Sequence, residues 1–185
     1  MTNAEGNRPI VAVLYRESLP PRLDEIAELA EVRLTKADGL PPEAMDGADV
    51  LYQWHSFSPA LRENWASASS LKWVHVSAAG VSQLLFDDLI NSNVEYTNSR
   101  GVLSRAIAEF ALGGFVLDIA KDAQGSLRLQ QGRRWQHRVT RKIQGQRTLV
   151  VGTGSIGREI ASLFRAVGLR VSGAGRSSRP GGCVL

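Results

Sequence analysis

The sequence predicts an α/β fold built on parallel, doubly wound sheet. Three observations carry that prediction. Apolar, strand-like runs alternate with amphipathic stretches from residue 10 to 97, the connections between them are short, and a strand, glycine turn and helix follow at residues 148 to 164. With 185 residues, 43% of them apolar and 22% charged, the chain suffices for one large or two small globular domains and is neither fibrous nor disordered in composition.

The elements follow in order. Ile10 to Tyr15 reads as a buried strand, Leu23 to Leu29 as a helix with Leu23, Ile26 and Leu29 in step, and Val32 to Thr35 as a second strand. Pro41-Pro42 before Glu43-Ala44-Met45 predicts a short helix with proline in its first turn, and Asp49 to Trp54 the next strand. Ser58 is placed to cap a helix reaching Trp65. Leu71 to Val76 is a strand running into Ser77-Ala-Ala-Gly-Val81, Gln83 to Leu89 a helix, and Val94 to Thr97 a strand. From Ser104 to about Lys121 apolar residues fall on nearly every face, which predicts a buried helix whose Gly113 and Gly114 permit close approach at a domain or subunit seam. Gly132-Arg-Arg-Trp135 through Arg141-Lys142 then forms a basic connector.

The most informative stretch is Thr148-Leu-Val-Val-Gly-Thr-Gly-Ser-Ile-Gly157, which joins an apolar strand to a helix that continues through Ile160, Leu163 and Phe164. In that context the glycine spacing predicts dinucleotide binding. Gly152 allows the tight turn, Gly154 lets a pyrophosphate approach the backbone, and Gly157 lets helix and strand pack closely. Ser155 and Ile156 open the helix, whose amino terminus offers unpaired N–H groups to phosphate. The next strand, Leu169 to Ala174, ends in Gly175-Arg-Ser-Ser-Arg-Pro180, where an NAD-selective site usually has an acid. Arg176, Ser177 and Arg179 suit a 2′-phosphate instead, so NADP(H) is favoured over NAD(H).

Charge and composition narrow the partners. Residues 1–100 carry 8 Lys/Arg against 14 Asp/Glu, and residues 101–185 carry 14 against 4, so the second half suits an anionic partner. Nucleic acid is disfavoured, because Arg133, Arg134, Arg138, Arg141 and Lys142 around Trp135 read as a basic connector. No apolar run approaches the roughly 20 residues of a membrane span, Met1 to Arg8 is polar, and the single cysteine, Cys183, forms no internal disulfide. A cytoplasmic location is expected. His55, His75 and His137 are isolated in sequence, with no metal-ligand spacing and no nucleophile motif.

Several segments together resemble the D-isomer-specific 2-hydroxyacid dehydrogenases, especially the glyoxylate and hydroxypyruvate reductase branch. Leu71-Lys-Trp-Val-His-Val-Ser-Ala-Ala-Gly-Val81 resembles the substrate loop, and Tyr96-Thr-Asn-Ser-Arg-Gly-Val102 with Ala108-Glu109 the hinge. Gly132-Arg-Arg-Trp135 resembles the tryptophan segment before the cofactor domain's first strand, and the glycine motif with Gly175 to Pro180 the NADP-type fingerprint. The resemblance implies a flavodoxin-like parallel-sheet substrate domain at residues 1–102 and an incomplete Rossmann dinucleotide-binding domain at residues 103–185. It implies that backbone N–H groups of Ala79 and Gly80 bind the carboxylate of a small 2-oxo or 2-hydroxy acid, and that the assembly is a homodimer.

The same resemblance implies a departure. The family's catalytic Arg, Glu and His lie later in the cofactor domain, and after the basic turn this chain holds only Gly181-Gly-Cys-Val-Leu185. No catalytic residue is therefore assigned. Asn98-Ser-Arg100-Gly101 aligns with the hinge, so Arg100 is not the catalytic arginine. The expected function is hydride transfer between NADP(H) and a 2-oxo or 2-hydroxy acid; the alternative is a non-catalytic nucleotide-binding module or an inactive remnant of such an enzyme.

Overall fold

The computed structural model describes residues 8–37, 41–55 and 58–176. They form two compact units, residues 1–100 and 101–185.

The first unit is a parallel five-stranded sheet made by β1 (Ile10–Tyr15), β2 (Glu31–Lys36), β3 (Val50–Gln53), β4 (Trp73–Val76) and β5 (Glu95–Asn98), in the order β2-β1-β3-β4-β5. This is the flavodoxin-like order. The connections carry α1 (Leu23–Leu29), α2 (Pro42–Met45), α3 (Ala60–Glu63) and α4 (Asp87–Ile90). β1 sits between β2 and β3, with Val13 beside Leu34 and Tyr52, and it is covered on both faces. Ala12 and Leu14 point into the larger core with Met45, Leu51, Val74 and Val76, while Val11 and Val13 pack with Ala30, Leu23 and Ile26 on the α1 side. A strand buried on both faces needs a continuous apolar run rather than alternation, as Ile10-Val-Ala-Val-Leu14 supplies.

Asp49 fastens the amino ends of three strands. Its Oδ2 accepts from the Ile10 amide at 3.0 Å, its Oδ1 from Lys72 Nζ at 2.7 Å, and its carbonyl from the Lys72 amide at 2.8 Å. Burial works to raise the Asp49 pKa, but the Lys72 ammonium and the Ile10 N–H outweigh it and hold the carboxyl below its ordinary value. The helix expected to run to Trp65 is confined to Ala60–Glu63, with Pro59 rather than Ser58 at its N-cap and a separate 3-10 turn at Trp65–Ser67, although Ser58 Oγ accepts from the Ala60 amide at 3.2 Å.

The second unit contains α5 (Ser104–Phe110), a π-helical stretch Ala111–Leu117, α6 (Asp118–Lys121), α7 (Ala123–Gln131), β6 (Arg147–Val151), α8 (Ser155–Ala166) and β7 (Arg170–Ala174). β6 and β7 pair in parallel, Thr148 opposite Val171 and Val151 opposite Ala174. Val150, Ala161, Phe164 and Leu169 are buried where α8 lies against the strands. Arg105 links α5 to α8, donating to Glu109 at 2.7 Å and to Glu159 at 3.2 Å.

Two further expectations need correction. The helix expected over Gln83 to Leu89 is confined to Asp87–Ile90. Residues 82–84 instead turn, with the Leu84 and Leu85 amides donating to the Val81 carbonyl, and the helix starts where Asp87 and Asp88 can face its positive end. The segment from Ser104 to Lys121 is helical but not buried. Only Ser104 and Ala108 are buried, whereas Phe110, Phe115 and Ile119 are 68, 58 and 72% exposed. α8 covers one side only, and a helix apolar all round then leaves its other sides in solvent. α7 was not anticipated; Asp122 starts it from a left-handed conformation (φ 49°), its Oδ1 accepting from the Gly125 amide at 3.1 Å.

Candidate functional site

The glycine turn has the geometry its spacing implies. Gly152 leaves β6 at φ +104°, a conformation that strains any residue with a Cβ, and its amide donates to the Ala174 carbonyl at 2.8 Å, tying the turn to β7. Gly154 is the residue before α8, and nothing lies within 4 Å of where its Cβ would stand. That open space leaves the backbone approachable at the helix amino terminus, which fits a pyrophosphate. Gly157 is the opposite case. A Cβ there would overlap the Gly152 carbonyl oxygen and lie 2.9 Å from its carbon and 3.4 Å from Val150 Cγ1. Ser155 and Ile156 lie half-buried in the first turn of α8. The Arg158 guanidinium folds back onto the Thr153 carbonyl at 3.2 Å and stiffens the loop from outside.

At the end of β7, Gly175 lies so close to the turn that a Cβ would come within 2.8 Å of Thr153 Oγ1. Arg176 follows, exposed. Ser177 and Arg179 lie outside the described residues.

In the first unit, Ala79 and Gly80 lie beyond the carboxyl end of β4, where parallel α/β sheets usually place ligands. Ala78 is buried, Ala79 half-buried and Gly80 exposed with no atom within 4 Å of its Cβ position. The loop is held through its carbonyls: Ala78 accepts from the Ser99 amide at 3.0 Å and Ala79 from Asn98 Nδ2 at 3.1 Å. Its start is held by the Ser77 amide donating to the Gln53 carbonyl at 3.1 Å.

Beneath the loop lies a polar cluster that the sequence reading passed over. His75 Nδ1 is 2.9 Å from Thr97 Oγ1 and its Nε2 3.3 Å from Ser99 Oγ, while Trp73 Nε1 donates to the same Thr97 oxygen at 2.8 Å. The His75 ring contacts Tyr52 and Trp73, with centroids 5.6 and 6.1 Å away. Burial lowers the His75 pKa. Neighbouring Tyr96 has its hydroxyl buried without a partner, and burial pushes its pKa up to about 12. The signal was available: alternate residues of adjacent strands share a face, so Trp73 and His75 must meet Glu95 and Thr97.

The basic connector forms an open hollow of about 440 Å³ lined by Ser126, Leu129, Arg133, Arg134, Trp135 and Arg138. Arg138 is engaged within the chain by Asp122 and Ser126, which leaves the hollow less cationic than its sequence suggests. Among the described residues no group of three His, Cys, Asp or Glu is placed to hold a metal, and no helix is long and apolar enough to cross a membrane.

Parallel sheets, a glycine turn with an open backbone and a helix amino terminus are features shared with nucleotide-binding α/β proteins. Residues 113–182 match the family model of the D-isomer specific 2-hydroxyacid dehydrogenase NAD-binding domain. The fold resembles a D-isomer specific 2-hydroxyacid dehydrogenase family protein from Aeromonas salmonicida (26% identity, TM-score 0.78, 95% of this chain and 56% of that one). It also resembles D-lactate dehydrogenase from Aquifex aeolicus in complex with NAD and lactic acid (18%, TM-score 0.75, 94% and 55%). A glyoxylate reductase from Paecilomyes thermophila is similar again (17%, TM-score 0.75, 93% and 57%). At these lower identities the last two speak to the fold. Residues 113–182 are thus similar to the NAD-binding domain of the D-isomer specific 2-hydroxyacid dehydrogenases, and the fold of the chain is similar to structures that bear that name. It spans little more than half the length of these structures, between 55 and 57%.

Proposed function

We propose that this chain is built for hydride transfer between NADP(H) and a small 2-oxo or 2-hydroxy acid, with residues 1–102 as substrate domain and 103–185 as part of the cofactor domain. The observation that carries the reading is the turn at Gly152–Gly157, where an open backbone at Gly154 meets the amino terminus of α8. Gly152, Gly154, Ser155, Ile156 and Gly157 would hold the pyrophosphate, and Arg176, Ser177 and Arg179 the 2′-phosphate. When bound, the nicotinamide supplies or accepts the hydride. Ala79 and Gly80 would present their amides to the substrate carboxylate, since oriented N–H groups neutralise an anion without a charged side chain. A glyoxylate or hydroxypyruvate type of acid is our preferred substrate class, and a homodimer our preferred assembly, with the exposed apolar side of residues 104–121 as its contact.

A second reading is a nucleotide-binding module without turnover, which needs only the glycine turn and the amino terminus of α8. Oxidation of NADPH by the purified chain with glyoxylate and with hydroxypyruvate separates the two. Turnover that falls in Arg176→Ala supports the enzyme; NADPH binding without turnover supports the module; neither binding nor turnover refutes both.

A further inference from the structure

We propose that Asn98 is a positioning residue that aims the Gly80 amide toward the substrate carboxylate; the inference rests on the role given above to Ala79 and Gly80. In a planar trans peptide the carbonyl and the N–H point in opposite directions, so fixing one fixes the other. The Ala79 carbonyl and the Gly80 N–H belong to one peptide unit, and that carbonyl accepts from Asn98 Nδ2 at 3.1 Å. The Ala78 carbonyl and the Ala79 N–H belong to the preceding unit, and that carbonyl accepts from the Ser99 amide at 3.0 Å. Two consecutive residues, Asn98 at the end of β5 and Ser99 just past it, thus grip, from behind, the two peptide units whose donors face the proposed ligand.

The two grips differ in kind. The one on Ala78 is backbone to backbone and extends the pairing of β4 with β5, in which Val76 stands opposite Asn98. The one on Ala79 depends on a side chain. Asn98 is itself oriented, because its Oδ1 accepts from the Arg100 amide at 3.2 Å, which leaves the Nδ2 end to meet Ala79. Gly80 most needs such help: it is exposed, has nothing within 4 Å of its Cβ position, and as a glycine has the widest backbone freedom. An asparagine here supplies an acceptor and a donor at once; an aspartate supplies two acceptors and would set oxygen against the Ala79 carbonyl.

The test uses the ¹⁵N-labelled 185-residue chain with Asn98→Asp, and Asn98→Ala as a second variant should the first fail to fold. N–H residual dipolar couplings of Ala79 and Gly80, referred to those of β4, report bond orientation without any ligand. The Gly80 coupling changes in either variant while that of Ala79 stays as in the wild type. Titration with oxamate, an isostere of a small 2-oxo acid, then shifts the Ala79 and Gly80 amide protons downfield in the wild type, and the variant binds about tenfold more weakly, the loss of one hydrogen bond to a charged group. An unchanged Gly80 coupling overturns the positioning role, whatever oxamate does. A changed coupling with unweakened oxamate binding also overturns it. A changed coupling with no oxamate shift in the wild type keeps the orienting contact and refutes the carboxylate reading of the loop.

Discussion

Substituting alanine at Gly154 and at Gly157 separates binding from folding at one turn. The Gly157 Cβ position is 2.9 Å from the Gly152 carbonyl carbon and overlaps its oxygen. Carbon atoms normally rest about 3.5–4.0 Å apart, so α8 must move by roughly 1 Å from the end of β6. Neither partner yields cheaply, since both are backbone. Overpacking of this kind costs about 1–3 kcal/mol, and the rigid partner argues for the upper end. At about 4–8 °C per kcal/mol for a small domain, Gly157→Ala lowers the unfolding midpoint by roughly 10 °C or more. At Gly154 nothing lies within 4 Å and φ is −76°, which alanine adopts freely. Gly154→Ala therefore changes stability by no more than about 1 kcal/mol, as for an ordinary exchange at a helix start. Its methyl group occupies the space assigned to the pyrophosphate, and NADPH affinity falls at least tenfold. Thermal unfolding monitored by circular dichroism, with NADPH titration of each variant, checks both halves. Equal stability of the two variants would refute the packing argument, and an unaltered NADPH affinity in Gly154→Ala would refute the assignment of the turn.

Other consequences are testable in the same chain. Arg176→Ala weakens NADPH binding much more than NADH binding in parallel titrations, and equal losses would remove the 2′-phosphate assignment. Asp49→Asn costs about 1.5–3 kcal/mol by chemical denaturation, because the Ile10 amide and Lys72 lose an ionised acceptor. Since the folded pKa of Asp49 is lowered, its contribution is complete above the ordinary value of 3.8 and is lost as pH falls through the lower folded value. His75 acts in a higher window. Its pKa is lowered by burial, so the unfolded chain binds more protons below 6.5, stability falls on acidification there, and His75→Gln removes that part of the slope. Residues 101–185 alone do not unfold cooperatively as a monomer, given Leu149 and Val151 at 61 and 81% exposure on a two-stranded sheet; a sharp monomeric transition would contradict this.

Much of the first unit was legible because a parallel strand covered on both faces leaves an unmistakable mark. Ile10-Val-Ala-Val-Leu14 is apolar at every position, and proline at the start of Pro42–Met45 marks its helix. The glycine turn was legible for the same kind of reason: three glycines at fixed spacing answer to a positive φ, an open approach and a backbone overlap. Burial of residues 104–121 was misread because an apolar sequence states what a helix needs to cover, not whether its own unit covers it. The helix placed over Gln83 to Leu89 began too early because Leu84, Leu85 and Leu89 mimic helical spacing while the first two pack beside a turn. The Asn98 contact with Ala79 was illegible, since it joins residues 19 apart through one side-chain rotamer.

The central claim is that a dinucleotide binds at the turn between β6 and α8, and its most direct test is a ¹H–¹⁵N chemical-shift map of the 185-residue chain titrated with NADPH. The account predicts the largest shifts at the amides of Gly154, Ser155, Ile156 and Gly157, with further shifts at Arg176. No saturable shift at these amides, or shifts gathered instead around Ser126, Arg133 and Arg138, would contradict it.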